Sequence, residues 1–295
     1  MNILITGITG FLGNNLSNFL LDKGFNVTAI VRKNSNIKNL DKNIKLFKYD
    51  ENILDLIDFF NTHKIEGVIH LASMVISEHE SKDIKNILNS NVIFGCEVLE
   101  ASKKTNIKWF INTGTFWQNY ESCDYNPTNL YAASKEAFEK IAKYYYETSK
   151  FIFNTIKLND TFGPNDKRKK IFYYWNQAAT SGKSLEMTNG EQIIDLNYIE
   201  DVVNAYYLLI KHLSEKKKKV INGKTYVVTS KNRMSLRELS KVYEMALNKK
   251  LNIRWGTKPY RTREVMNPMI CNDLVPGWQQ KYKLAEALKK TYLKG

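Results

Sequence analysis

The chain has 295 residues, of which 43% are hydrophobic and 25% are charged, a composition that is ordinary for a soluble globular protein. It contains no run of about 18 apolar residues and enters an apolar strand pattern at its amino terminus, so we expect neither a membrane span nor a secretory signal. The net charge of +14 leaves nucleic-acid binding open, although a lysine-rich solvated surface explains it more simply. The three cysteines and four histidines follow no disulfide or metal-ligand spacing, which predicts no disulfide framework, no metal and a reducing, cytoplasmic location.

The first half of the chain alternates short apolar runs with segments of helical periodicity. Gly24 ends the first helical segment. Such alternation predicts parallel strands joined by crossover helices, an α/β fold with a doubly wound parallel sheet. The predicted strands are Asn2–Thr6, Asn26–Val31, Ile44–Tyr49, Gly67–His70, Trp109–Thr113 and Phe153–Leu158.

A glycine-rich loop follows the first strand and opens the first helix. Gly7 permits the tight turn, Gly10 lets the backbone approach a pyrophosphate, and Gly13 lets the helix pack closely on the strand. Backbone amides at the start of the helix then point at the anion. This context predicts a dinucleotide site of the Rossmann type. The candidate cofactor-binding residues of this loop are Gly7, Thr9, Gly10, Phe11, Leu12 and Gly13.

The spacing Thr-Gly-x-x-Gly-x-x-Gly differs from the Gly-x-Gly-x-x-Gly of ordinary dinucleotide-binding dehydrogenases. It resembles the extended branch of the short-chain dehydrogenases, which includes nucleotide-sugar epimerases, dehydratases and reductases. The resemblance implies that Leu71, Ala72 and Ser73, after the fourth strand, lie along the cofactor. It also implies that Asn91 is a structural residue on a helix near the proton relay and the cofactor.

The end of the second strand bears on which dinucleotide is bound. A carboxylate there usually holds a free ribose 2′-hydroxyl, but this chain has Val31 and then Arg32. A guanidinium at this position pairs with a 2′-phosphate and predicts NADP(H), unless Arg32 is only a solvated strand end. Asp50 resembles the family residue that contacts the adenine, and the alternative is a cap of the following helix.

Tyr131 and Lys135 are four residues apart, on one face of a predicted helix. Reduction of a carbonyl needs a proton donor at oxygen, and a neighbouring ammonium lowers the pKa of a phenol towards the working range. A hydroxyl at the end of the preceding strand is expected to bind the substrate oxygen. The family pattern gives Thr113 this catalytic place, with Thr115 as the second choice and a substrate contact.

The order of elements becomes less regular after about Gly163. We therefore predict an NADP-binding domain over residues 1–163 and a substrate-binding lobe over 164–295, with 193–209 returning to the first domain as an alternative. The lysine run 216–219 is predicted to lie in an exposed loop. In the second half, Asn159, Arg261 and Arg263 are candidate substrate contacts, the two arginines for a diphosphate or else as plain surface charge.

Three segments most resemble the CDP-abequose and CDP-paratose synthases, which reduce the 4-keto group of a nucleotide-linked deoxysugar. They are Thr113–Phe116, Asn129–Lys135 and Asp160–Asp166. Gly114 and Thr115 replace the Asp-Glu pair of the 4,6-dehydratases, which argues against water elimination.

The resemblance implies an NADPH-dependent 4-ketoreductase whose partner is a nucleotide-diphosphate sugar. The main alternative is a 4-epimerase with tightly bound NAD, followed by a reductase of other carbonyls. The intact set of Thr113, Tyr131 and Lys135 argues against a non-catalytic dinucleotide sensor or a nucleic-acid-binding protein. A homodimer through the helices that carry Asn91 and Tyr131 is left open by the resemblance.

Overall fold

A computed structural model describes residues 1–215 and 221–293, so the lysine run 216–219 lies outside the described residues. Its centre is an eight-stranded sheet in the order β14-β11-β6-β5-β4-β1-β2-β3, and every pairing in it is parallel. Parallel sheets of this kind are buried on both faces, which explains the apolar runs in the inner strands. The strands of this sheet are β1 (Asn2–Thr6), β2 (Asn26–Arg32), β3 (Lys45–Tyr49), β4 (Gly67–His70), β5 (Trp109–Thr115), β6 (Ile152–Leu158), β11 (Lys224–Val228) and β14 (Asp273–Leu274).

Helices cover the sheet, and several begin at a polar residue that caps them. Asn52, Asn129 and Ser235 each accept a backbone N–H of the first turn of their helix. The helices are α1 (Phe11–Asp22), α2 (Ile53–Thr62), α3 (Ile84–Leu88), α4 (Phe94–Lys104), α5 (Leu130–Glu147), α6 (Ile171–Ser181), α7 (Ile199–Ser214), α8 (Leu236–Leu247) and α9 (Leu284–Tyr292). Short helical turns occur at Ser81–Asp83 and Phe116–Gln118, and a π-helical turn spans Asn89–Ile93.

The second half of the chain adds three small two-stranded sheets beside the main one. They are formed by β7 (Asp160–Phe162) with β10 (Leu196–Tyr198), β8 (Leu185–Glu186) with β13 (Ile253–Arg254), and β9 (Ile193–Ile194) with β12 (Met234–Ser235). One apolar cluster runs from the main sheet into this region, because buried residues of both halves belong to it, including Ile5, Trp175 and Tyr243. The two halves therefore share one core.

The predicted fold class and the six predicted strands are confirmed, with ends that move by two residues at most. The sheet also takes β11 and β14 from beyond the predicted boundary at residue 163. They pair there because the outer side of β6 would otherwise be an open edge. Within 193–209, α7 packs on α1. The division into a domain of residues 1–163 and a lobe of 164–295 stays a prediction, and the sheet crosses it.

The prediction of no disulfide is wrong for one pair of cysteines. Cys123 and Cys271 form a disulfide with their Cα atoms 5.2 Å apart, and Cys96 is free. The two are 148 residues apart in sequence, and only the fold brings the loop after β5 against the carboxyl-terminal segment. None of the helices in the described part of the chain has the length and apolarity of a membrane crossing.

Candidate active site

The phosphate loop has the close approaches that its glycines predict. Gly7 has a φ of +70°, and a Cβ there would lie 2.7 Å from the backbone nitrogen of Ala72. A Cβ on Gly13 would lie 2.3 Å from the carbonyl oxygen of Gly7. Helix α1 begins at Phe11 without side-chain capping by Gly10, so its first amides face the loop. These features fit a dinucleotide pyrophosphate, which binds backbone amides where no side chain intervenes.

A row of polar side chains crosses the sheet directly below this loop. Thr6, His70, Asn112 and Thr155 are register partners on β1, β4, β5 and β6. The Thr6 hydroxyl accepts the N–H groups of Leu71 and Ala72 at 3.2 and 3.1 Å, so its own proton goes to Nδ1 of His70 at 2.9 Å. This interaction holds the segment that carries Leu71, Ala72 and Ser73 beside Gly7.

His70 is therefore the tautomer with its proton on Nε2. Complete burial holds the pKa of His70 well below its usual range, which keeps the ring neutral. Among the described residues, Nε2 of His70 and Oδ1 of Asn112 are buried without hydrogen-bond partners, one a donor and the other an acceptor. The amide of Asn112 continues the row by donating to Thr155 Oγ1 at 3.2 Å.

The predicted ribose contacts lie at the end of β2. The Arg32 side chain is exposed, and its backbone N–H donates to Oγ of Ser35 at 3.0 Å. Lys33 forms an ion pair with Asp50 at 3.6 Å. Asn52, rather than Asp50, caps α2, so the capping alternative for Asp50 is wrong. Arg32 and Asp50 thus lie at one edge of the sheet, with roles that stay predictions.

Tyr131 lies at the start of α5 with 8% of its surface exposed. The hydroxyl groups of Thr115 and Ser73 lie close enough to its phenol oxygen to favour the ionised phenolate and so lower its pKa. Thr113, the first choice from sequence, instead shares a 2.6 Å hydrogen bond with the buried phenol of Tyr206 on α7. The geometry therefore favours Thr115 as the hydroxyl beside the phenol.

Burial dominates the titration of both predicted catalytic groups. It raises the pKa of Tyr131 to about 12, and the hydroxyls of Thr115 and Ser73, rather than Lys135, oppose this rise. Lys135 is also buried, which lowers its pKa to about 8. Loss of water around the phenol is the largest influence on its pKa, and the expectation that Lys135 lowers this pKa stays a prediction.

Asn91 connects the cofactor segment to the catalytic helix. Its Oδ1 accepts the backbone N–H of Met74 at 2.6 Å and the hydroxyl of Ser73 at 3.1 Å. Its Nδ2 donates to Oγ of Ser134 at 2.9 Å. These contacts fit the structural position near the relay that the resemblance implies for it.

An open cleft with an empty volume of about 560 Å³ lies beside Tyr131 and is lined by Trp117, Asn129, Arg261 and Arg263. The ring of Trp117 meets Tyr131 edge-on at 6.0 Å, and the Arg261 guanidinium lies 5.5 Å from the centre of the Trp117 ring. Trp117 therefore links the candidate proton donor to a cleft that is lined by two cations and by the carboxylate of Glu78.

Both arginines of the cleft have partners in the described structure. Arg261 pairs through two 2.8 Å hydrogen bonds with Glu264, and Arg263 lies over Tyr120 and donates to Asn126. Both side chains are exposed, so the choice between a diphosphate contact and surface charge stays open. Asn159, by contrast, donates to the carbonyl of Val228 at 3.0 Å, which is a contact within the sheet and not with the cleft.

Sequence reasoning missed Trp117, Gln118 and Tyr206 as parts of the site. Trp117 and Gln118 lie in the short helical turn Phe116–Gln118 that follows β5, and their closeness in sequence to Thr113 and Thr115 was a signal. Tyr206 gave no signal, because its contact with Thr113 joins residues 93 positions apart.

The family model described as the NAD dependent epimerase/dehydratase family matches residues 3–228. The CDP-abequose synthase of Salmonella typhimurium is 28% identical over 215 residues, which are 72% of this chain and 71% of the relative. The CDP-abequose synthase of Salmonella muenchen is 25% identical over 295 residues, which are 98% and 96% of the two chains.

Solved structures share the fold over nearly the whole chain. A UDP-glucose 4-epimerase of Thermotoga maritima with UDP-glucose superposes with a TM-score of 0.85 and 22% identity, covering 99% of this chain and 97% of that one. A Thermus thermophilus UDP-glucose 4-epimerase with NAD gives a TM-score of 0.81 and 20% identity, with the same coverage. The resemblance predicted from the sequence is confirmed: the chain belongs to the NAD-dependent epimerase/dehydratase family.

Proposed function

We propose that this chain is an NADPH-dependent reductase of the 4-keto group of a nucleotide-diphospho-4-keto-deoxysugar. The observation that carries the proposal is the contact of Tyr131 with Trp117, because Trp117 lines a cleft that Arg261 also lines. The matched CDP-abequose synthases support a deoxysugar substrate, because they cover most of this chain.

The dinucleotide, when bound, supplies a hydride to the carbonyl carbon. Tyr131 donates its phenol proton to the carbonyl oxygen, so that the ketone becomes an alcohol. Its pKa of about 12 keeps that proton in place at neutral pH. Thr115 binds the same oxygen, while the hydroxyl of Thr113 is occupied by its hydrogen bond with Tyr206. Lys135 would hold the ribose of the dinucleotide.

The surroundings of Gly114 argue against a dehydratase. A Cβ at this position would lie 2.9 Å from Oε1 of Gln118 and 3.0 Å from Oε1 of Glu139. An aspartate, as in the 4,6-dehydratases, would therefore meet a carboxylate and a carbonyl oxygen, and both repel it. Since Thr115 follows in place of the glutamate, neither the acid nor the base for water elimination is present.

A 4-epimerase with retained NAD is the second candidate. The observation that favours it is that the superposed epimerases and their relatives include complexes with NAD. Against it stands the end of β2, where Arg32 is exposed and Val31 takes the place of a carboxylate.

A homodimer is part of the proposal, because exposed apolar residues line the surface of α3, α5 and the turn between α3 and α4. They are Ile84, Leu88, Ile93, Ile141 and Tyr144.

A substrate screen tests the proposal. Nucleotide-4-keto-6-deoxysugars with different bases are offered with NADPH or NADH, the loss of reduced dinucleotide is followed by absorbance, and the product is identified. We expect an alcohol at C4 and a higher kcat/KM with NADPH. Interconversion of 4-epimers without added dinucleotide, together with NAD released on denaturation, would replace the reductase with the epimerase.

A further inference from the structure

Gln118 lies directly after the catalytic strand and uses both ends of its carboxamide, although its side chain is completely buried. Oε1 accepts the backbone N–H of Thr115 at 2.8 Å. Nε2 donates to Oε2 of Glu136 at 2.6 Å and to Oε1 of Glu139 at 3.0 Å. We call Thr115, Gln118, Glu136 and Glu139 the Gln118 network. It joins the end of β5 to α5, the helix that carries Tyr131.

The network packs tightly against the strand that it holds. Gly114 leaves the space in which Gln118 and Glu139 meet, since a Cβ there would contact an oxygen of each. Glu139 is four residues after Lys135, which is four residues after Tyr131, so the three side chains leave one face of α5. The carboxamide therefore connects the backbone of Thr115 to the helix face that carries Tyr131 and Lys135.

The charges around the carboxamide come from two elements. Glu136, Glu139 and Lys135 belong to α5, and Glu136 also pairs with Lys140 at 3.1 Å. Lys157 on β6 donates to Oδ1 of Asn119 at 2.8 Å. Burial raises the pKa of Glu139, and Lys157 opposes this rise. Two carboxylates thus share one NH₂ group, and a third anion at this point would be repelled.

We propose that Gln118 is a positioning residue for the proton donor, which fixes the Thr115 hydroxyl against the phenol of Tyr131. This inference rests on the proposed function, because it concerns the proton that Tyr131 transfers. The Thr115 hydroxyl accepts the N–H of Trp117 at 3.3 Å, which leaves its proton for the phenol. Loss of the hydrogen bond from the Thr115 N–H to Oε1 of Gln118 would free the backbone of Thr115. The Thr115 hydroxyl would then shift relative to the phenol of Tyr131.

Gln118→Glu gives a test with a signature in pH. The ionised glutamate is repelled by Glu136 and Glu139, which moves it away and weakens its hydrogen bond with the N–H of Thr115, and the same repulsion raises its pKa. Once protonated it again offers one donor and one acceptor. We expect kcat, relative to the unmodified protein, to be at least about tenfold lower at alkaline pH and to recover as the pH falls, which corresponds to the loss of about one hydrogen bond. KM and dinucleotide Kd should change by less than about twofold.

Gln118→Met is the matched variant without titration. It has similar size and neither donor nor acceptor, so its kcat should be reduced to a similar extent at every pH. Gln177→Met, on the exposed side of α6, is the control for the glutamine-to-methionine substitution itself and should leave kcat unchanged. Thermal unfolding identifies any variant that fails to fold.

Amide hydrogen exchange separates this inference from the proposed function. The Thr115 N–H should exchange at least about tenfold faster in Gln118→Met, with no substrate present. Unchanged exchange at Thr115 overturns the inference whatever the activity. Equal loss of kcat and of dinucleotide affinity at all pH values in both Gln118 variants also overturns it, since that pattern indicates general loosening. If exchange follows the expectation but no ketone is reduced, the proposed function fails and the link between Gln118 and Thr115 stands.

Discussion

The two sides of the candidate site are built in different ways. The dinucleotide side consists of closely approaching backbone, in which Gly7 and Ala72 follow two adjacent strands and Gly13 lies in the first turn of α1. The sugar side consists of side chains from two segments of the chain, among them Trp117 and Arg263, which line the cleft. The disulfide between Cys123 and Cys271 links these two segments.

This difference predicts which substitutions each side of the site can tolerate. Backbone amides bind any pyrophosphate, so the dinucleotide side needs particular residues only where a side chain would be in the way. In the proposed function, the sugar side recognises its ligand through stacking and charge, and its residues set the substrate. Substitutions on the first side should therefore act sterically, and those on the second side chemically.

The largest effect is expected between the two sides, at the proton donor. Tyr131→Phe should lower kcat at least about 100-fold, as expected when a positioned proton donor is removed. Dinucleotide Kd should stay within about twofold, measured by fluorescence of the bound reduced dinucleotide. Tyr174→Phe, on the exposed surface of α6, is the control. Near-normal turnover of Tyr131→Phe would refute its role.

Gly13→Ala tests the steric character of the dinucleotide side. The new Cβ would lie 2.3 Å from Gly7 O and 2.7 Å from Ile8 Cα, and both are backbone atoms. Overpacking of this kind costs about 1–3 kcal/mol, which we expect as a loss of dinucleotide affinity of up to about 100-fold, measured by titration. Asn18→Ala on the exposed face of the same helix should bind normally. Equal affinity in both variants would contradict the close packing.

Arg32→Ala tests the one place where a charge is expected to matter on the dinucleotide side. A guanidinium–phosphate contact contributes about 1.5–3 kcal/mol, so the preference for NADPH over NADH should fall by about 10- to 100-fold. The change should be in KM, because the 2′-phosphate is remote from the reacting carbon. Steady-state kinetics with both dinucleotides measure it, with Arg254→Ala, whose side chain pairs with Glu186, as the charge-matched control. If the wild-type protein prefers NADH, Arg32 does not bind a 2′-phosphate and is only a solvated residue at the end of β2.

Arg261→Ala tests the sugar side and should have the smallest effect. A diphosphate must compete with Glu264 for this guanidinium, so the net gain is less than that of a free cation. We expect KM for the nucleotide sugar to rise by about tenfold with little change in kcat. The Arg254→Ala protein again serves as the control. A large loss of kcat with constant KM would mean that Arg261 acts on the transition state.

The sequence predicts the dinucleotide side better than the sugar side for a physical reason. The glycines at 7, 10 and 13 and the Tyr131–Lys135 pair are local patterns, each within eight residues, whose geometry follows from one turn or one helix. The contact of Thr113 with Tyr206 and the disulfide depend on how distant segments pack. The rise in the pKa of Tyr131 likewise depends on burial, which no local pattern specifies.

The π-helical turn Asn89–Ile93 has a consequence for how this chain tolerates insertions and deletions. A π turn holds one residue more than an α turn, and that residue lets Asn91 face inward to Met74 and Ser134. Removing one residue upstream of Asn91 within this turn would restore α-helical spacing, and the flanking helices could keep their faces. A deletion in α4 itself would instead turn the residues on one side of it by about 100°. The π turn is therefore the place in this segment where a one-residue deletion is expected to cost the contacts of Asn91 but not the packing of the helices on either side.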